Sequence, residues 1–284
     1  MKRFIGKVRG ALFFSWSIAL LSIPLSMSAA AADEAVPRIA TVTPVAYALS
    51  LALLDGTGVQ VDYLPPKRLP VNRVASWLRK NRSNKYEVYD ALVSISDAVP
   101  KFAFSNTLRQ SNIRLVTIDI AYARLPEGEK VVLSNPEEFF WLNSNNLLLM
   151  SGVLKRDFNL LWPEYLEIVN KNYQTLSATV RKLNLEIENL LYAQDIAVFV
   201  MDKPALQPIA GSLSMDVMRQ DEALALEIPA LRVISAASRT RQDKPTDPPG
   251  GLLSWRIDDL SRFSEAPIQD RLATNLQSLR LLFE

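Results

Sequence analysis

Histidine and cysteine are absent from all 284 residues, so the side chains that could hold a ligand are oxygens, aromatic rings and cationic groups. Imidazole and thiolate are the groups that hold zinc and its neighbours with high affinity. Carboxylates, amides and carbonyls suit hard cations that take several oxygens at once. Asp243, Asp247, Asp258 and Asp259 could supply such oxygens for calcium, although their spacing lacks an EF-hand loop. Phe139, Phe140 and Trp141 could stack on an organic ligand, or form core or wall. Lys67, Arg68 and Arg73 could attract an anionic solute, or be a solvated loop and helix start. No Walker-type loop, dinucleotide fingerprint or His-activated nucleophile occurs. No pair among the 30 acids has a context that singles it out for acid–base work. An enzyme is therefore not expected, and neither is a cofactor.

The first 32 residues read as a secretory leader. Lys2, Arg3, Lys7 and Arg9 form a basic start, and an apolar run over 11–25 follows, broken by Ser15, Ser17, Ser22 and Pro24. Small residues from Met27 to Ala32 offer a cleavage site before Asp33. An uncleaved anchor is the alternative, but the run is short for a span of about 20 apolar residues. No Cys follows the run to carry a lipid anchor. Losing the leader removes four of the 32 basic residues and no acid, leaving 28 against 30 acids. That balance points to neither nucleic acid nor an acidic membrane as partner. A periplasmic protein without stable membrane insertion is expected, stabilised by packing because it has no disulfides.

Candidate ligand groups need a scaffold, and the chain alternates strand-like and helical stretches. Strand patterns occur at 38–42, 59–64, 91–95 and 113–118, with helices expected at 45–54 behind Pro44, at 72–79 and at 101–110. Leu166, Val169, Tyr173, Leu176, Val180, Leu183, Ile187 and Leu190 then recur at alternating spacings of three and four. They predict one helix over 163–191, opened by Pro163, of roughly 44 Å. That is long enough to run along two domains, although a coiled-coil dimer would give the same stripe. Beyond it lie strands at 196–200, 231–236 and 254–257, helices at 204–215 and 268–283, and a Pro- and Gly-rich loop at 239–251. No internal repeat is visible. The pattern predicts an α/β protein with parallel sheets.

The order of these elements resembles the zinc/manganese class of ABC-transporter solute-binding proteins. Leu64-Pro65-Pro66 is similar to the family's turn before its first ligand, and Tyr89-Asp90-Ala91-Leu92-Val93 to its "ADLVV" strand. Trp141-Leu142-Asn143 with Asn146 resembles its "HxWLDPxN" segment. Pro163-Glu164, Asn172 and Leu176 match its connecting helix, and Arg256-Ile257-Asp258-Asp259-Leu260 with Asn275-Leu276 its end. The resemblance implies two small α/β lobes joined by one long helix, with metal bound between them. The expected organisation is a leader at 1–32, an N-terminal lobe at 33–154, the connecting helix at 155–191 and a reduced C-terminal lobe at 192–284.

The resemblance also assigns four ligand positions, and three of them carry the wrong chemistry. Val71 and Phe139 stand where the family has histidines, Lys203 stands where it has a histidine or an acid, and Asp258 alone keeps its acid. If the lobes close as in that family, Lys203 and Asp258 converge, the ammonium replacing the cation, with Val71, Phe139 and Trp141 as cleft candidates; otherwise Lys203 is a solvated loop residue. The implied function is a solute-binding or accessory component of an ABC transporter with its metal site lost. Its partners would be a permease and an unknown solute or protein. The alternative is a periplasmic interaction or scaffold protein on a degenerate binding fold.

Overall fold

Ile39, Ala40 and Thr41 have no exposed surface, the mark of a strand covered on both faces. The computed structural model describes residues 36–121, 128–133, 135, 137–237 and 251–284. The expected leader, most of the loop at 239–251, and Asp243 and Asp247 within it lie outside the described residues. In the N-terminal lobe, strands β1 (Arg38–Thr41), β2 (Gln60–Tyr63), β3 (Ala91–Ser94) and β4 (Val116–Asp119) form a parallel sheet in the order β2-β1-β3-β4. Helix α1 (Pro44–Leu54) is apolar nearly all round and buries nine of its 11 residues. Such a helix belongs in an interior. Helix α2 (Val71–Lys80) instead buries Val71, Val74 and Leu78 and turns its basic residues outward.

Two local expectations fail here for readable reasons. The stretch at 101–110 is not one helix but a 3-10 turn, Pro100–Phe102, and a four-residue helix α3 (Ser105–Leu108). The strand expected from Ile113 starts only at Val116. The Asn112 side chain accepts from the Arg114 N–H at 2.9 Å and holds a turn there, leaving Ile113 87% exposed.

Helix α4 (Ser144–Leu161) is N-capped by Asn143, whose Oδ1 accepts from the N–H groups of Asn145 and Asn146. It turns at Trp162 and a 3-10 segment, Pro163–Tyr165, into helix α5 (Leu166–Ala193). At 1.5 Å per residue its 28 residues reach about 42 Å. Val169, Leu176, Val180 and Ile187 are buried as the stripe predicted, while Leu166 at the end is 42% exposed. Two asparagines tie this spine to the lobes. Asn172 Nδ2 donates to the carbonyls of Leu53 and Asp55 at the C-terminus of α1, at 3.0 and 2.9 Å.

In the C-terminal lobe, strands β5 (Val198–Met201), β6 (Asp216–Val217), β7 (Ala230–Ser235) and β8 (Ser254–Ile257) again lie parallel, in the order β6-β5-β7-β8. Helices α6 (Pro208–Ser212) and α7 (Gln220–Ala225) are short, and α8 (Ile268–Arg280) closes the chain. Asn184 Nδ2, one layer further along α5, donates to the Ser212 carbonyl at 3.1 Å. The helix expected over 204–215 is broken, because Pro208 has no N–H to continue it. Its sheet has as many strands as that of the N-terminal lobe.

The two sheets share one strand permutation, so a repeat invisible in sequence exists in topology. Third strands end in serines whose hydroxyls accept from the N–H two residues on: Ser96 to Ser94 at 2.9 Å, and Ala237 to Ser235 at 3.1 Å. Asp119 ends the fourth strand of one sheet and Asp259 lies two residues past that of the other, and their Oδ1 atoms accept from the N–H groups of Ala121 and Ser261, both at 3.0 Å.

Leu176 is fully buried on the spine. Leu176→Ala should lower stability by about 2–5 kcal/mol, the range for a buried leucine truncated in a core. Denaturant unfolding of the two proteins measures it.

Candidate functional site

In open α/β sheets ligands bind beyond the carboxyl ends of the strands. Here those ends carry the segments that link the lobes. Phe139 N–H donates to the Ala205 carbonyl at 2.9 Å, joining the turn before α4 to the loop after β5. Trp141, 4% exposed, donates its Nε1–H to the Asp259 carbonyl at 2.9 Å. Phe139 is half-buried and stacks on Trp141, with ring centroids 5.1 Å apart and planes 17° apart. Phe140 is buried. Asn146 Nδ2 donates to the Phe140 and Val132 carbonyls at 2.9 and 2.8 Å, which anchors this turn on α4.

The predicted positions separate into two groups. Phe139 and Trp141 sit together, next to the loop that carries Lys203 and the turn that carries Asp258. Val71 is buried at the first turn of α2. Lys203 is exposed just before the 3-10 turn Pro204–Leu206. Asp258 has a cationic partner on α8. Arg271, 5% exposed, grips Asp258 in a fork: Nε to Oδ2 and one terminal nitrogen to Oδ1, both 2.8 Å. Asp258 is further fixed by Asn275, whose Oδ1 accepts from its N–H at 2.6 Å. Arg271 and Asn275 lie four residues apart on one face of α8, so both reach the turn after β8. The arginine was missed because nothing in its local sequence marks it as a partner of Asp258.

Asp258 and Asp259 turn apart instead of sharing a cation. The buried Asp259 accepts from the Ser235 hydroxyl at 2.5 Å and from the Ser261 N–H. Among the described residues no three acidic side chains gather into a set that could hold a metal.

Beyond Asp259 the chain crosses to the N-terminal lobe. Phe263 stacks on Tyr63, the last residue of β2, with centroids 4.9 Å and planes 24° apart. It also lies 4.8 Å from Tyr47 on α1. Lys67 Nζ stands 5.3 Å from the Phe263 centroid and pairs with the Glu265 carboxylate, which holds the ammonium above its ordinary pKa. Burial pushes the Tyr63 hydroxyl well above the usual phenol range and leaves its oxygen without a hydrogen-bond partner. Tyr47 is raised too, by burial first and then by the Glu265 charge. Of this cluster only Lys67 was visible in the sequence as a candidate. Arg68 and Arg73 are exposed beside it.

Two cavities border the linking turn. One, of about 60 Å³, lies between α5 and the C-terminal lobe against Trp141 and Trp255. The other, about 490 Å³, is a polar groove beside Phe140, lined among others by Glu138, Asn143, Gln207 and Asp216.

No protein-family model and no curated protein sequence matches the chain. Solved structures do. The SBP FpvC from Pseudomonas aeruginosa in complex with Mn2+ superposes with a TM-score of 0.60 at 13% identity, over 87% of this chain and 98% of that one. The Cd-bound periplasmic metal binding protein from Candidatus Liberibacter asiaticus gives 0.60 at 11% identity, over 87% and 100%. A mutant of the laminin-binding adhesin Lmb from Streptococcus agalactiae gives 0.63 at 10% identity, over 88% and 100%. Two parallel-sheet lobes on one long helix thus give this chain the fold of the metal-type solute-binding proteins.

Proposed function

We propose that the protein is a periplasmic solute-binding or accessory component of an ABC transporter whose family metal site has been lost. The fold supports the binding-protein role, and with it a permease as partner and a role outside catalysis. The observation that carries the loss is the fork between Arg271 and Asp258. Of the four positions that the resemblance assigns to metal ligands, Val71 and Phe139 are apolar and Lys203 is cationic. The fourth, Asp258, already has both oxygens on a guanidinium. A cation entering there would have to displace a charge-assisted bidentate pair and would find no nitrogen or sulfur donor in return. Among the described residues no helix is long and apolar enough to cross a membrane.

A second reading, an interaction module on a binding fold, is favoured by the aromatic ring of Phe263 lodged between the lobes. The likeness to a structure described as a laminin-binding adhesin is consistent with that reading.

Calorimetric titration of the purified protein with zinc and with manganese tests the loss. No submicromolar binding is expected, and stoichiometric tight binding of either ion would overturn it. A tight ligand would also raise the melting temperature by mass action. The fork has its own consequence. Arg271→Met should destabilise the fold by about 1–3 kcal/mol, less than the ~3–5 for a fully buried pair because Asp258 is 29% exposed. The loss should exceed that from Lys203→Met, and chemical denaturation of both variants decides which cation Asp258 depends on.

A further inference from the structure

We propose that Tyr47, Tyr63 and Lys67 form a slot for a planar aromatic anion, and that Phe263 and Glu265 of the same chain occupy it as an internal mimic. This rests on the reading of the protein as a solute binder and names the class of solute. The two tyrosines make a corner, their rings 6.1 Å apart and inclined at 63°. Phe263 fills that corner, nearly parallel to Tyr63 and tilted against Tyr47. Glu265, two residues on, places a carboxylate on Lys67, while the same ammonium stands over the Phe263 ring. Together the two side chains present a ring to the tyrosine corner and an anion to Lys67.

Three features make the occupant displaceable. The Lys67–Glu265 pair is exposed on both sides, at 67% and 66%, and such pairs contribute little to stability. The loop is held at its neck, where Arg271 donates to the Arg262 carbonyl at 3.1 Å. On either side of the neck, N–H groups go to side chains of the same segment. Leu260 donates to Asp258 at 2.9 Å, Ser261 to Asp259 at 3.0 Å and Ala266 to Ser264 at 3.1 Å. Lifting residues 263–265 therefore breaks no strand ladder, and segments with few such ties open at low free-energy cost.

The slot also has unspent recognition. The Tyr63 hydroxyl is buried without a partner, and a ligand carrying a polar substituent on its ring would supply one. Ring stacking on Tyr63 and Tyr47 provides the apolar part of the contact, and Lys67 selects for negative charge. A ligand must compete with the internal mimic, so its apparent affinity is reduced by the fraction of time the slot is vacant.

The test uses 1-naphthoate as probe and its uncharged carboxamide as control, titrated calorimetrically into the full chain and three variants. Phe263→Ala should bind naphthoate at least tenfold more tightly than the wild type. Glu265→Ala, a change at an exposed site, should gain severalfold by freeing Lys67. Adding Lys67→Met to Phe263→Ala should cost at least tenfold for naphthoate and little for the carboxamide. Equal or absent binding in wild type and Phe263→Ala would overturn the slot, and so would indifference to Lys67→Met. If Phe263→Ala does not fold, Glu265→Ala decides, and no gain there overturns the proposal. Tight zinc or manganese binding would instead sink the lost-metal reading and leave this test standing.

Discussion

One stripe of apolar side chains on α5 is the constraint on which the molecule depends. Val169 and Leu176 bury against the N-terminal half, Ile187 and Leu191 against the C-terminal half, so that one core cluster spans both lobes, with a smaller one around Val198, Val200 and Ala223 apart from it. Each fully buried aliphatic side chain contributes about 1.5–3 kcal/mol relative to exposure. The rest follows from sharing one helix between two sheets. Helix α1 lies between its own sheet and the spine, so it must be apolar nearly all round. Asn172 and Asn184 then set register, each reaching a carbonyl at the C-terminus of a short helix that water would otherwise have to satisfy. A continuous helix of this kind resists wide hinge bending, so ligand access depends on small lobe tilts or on a loop that can lift.

The turn after β8 divides labour between two adjacent carboxylates. Asp259 is spent inside the turn on Ser235 and Ser261, and its carbonyl receives Trp141 from across the lobe boundary. Asp258 faces α8, where the planar guanidinium of Arg271 matches both of its oxygens, a geometry a lysine ammonium does not reproduce. The fork and Asn275 together fasten α8 to the end of the sheet. The pair thus neutralises a carboxylate and also sets where the Phe263 loop leaves the C-terminal lobe.

Both lobes solve the same problem in the same way without sharing a sequence pattern. A parallel strand ends with N–H groups that have no neighbour to pair with, and these must find acceptors. Ser94 and Ser235 supply hydroxyls at one strand end, and Asp119 and Asp259 supply carboxylates at the next. These are single residues about 140 positions apart on short strands, so no periodicity search would pair them.

Most of the architecture is legible without coordinates because its causes are local. The spacing of Leu176, Val180 and Ile187 makes a helix, the buried run Ala91-Leu92-Val93 makes a central strand, and Pro44 opens α1. Local chemistry also explains the misses: Pro208 interrupts a helix that its neighbours favour, and the Asn112 turn delays β4. The site is another matter. Composition alone rules out imidazole or thiolate as metal ligands, since that is a matter of which residues exist. That Asp258 belongs to Arg271 and that Phe263 lies on Tyr63 emerges only from the folded chain, because Lys67 and Glu265 are 198 residues apart and partners at that separation are chosen by the packing of two lobes.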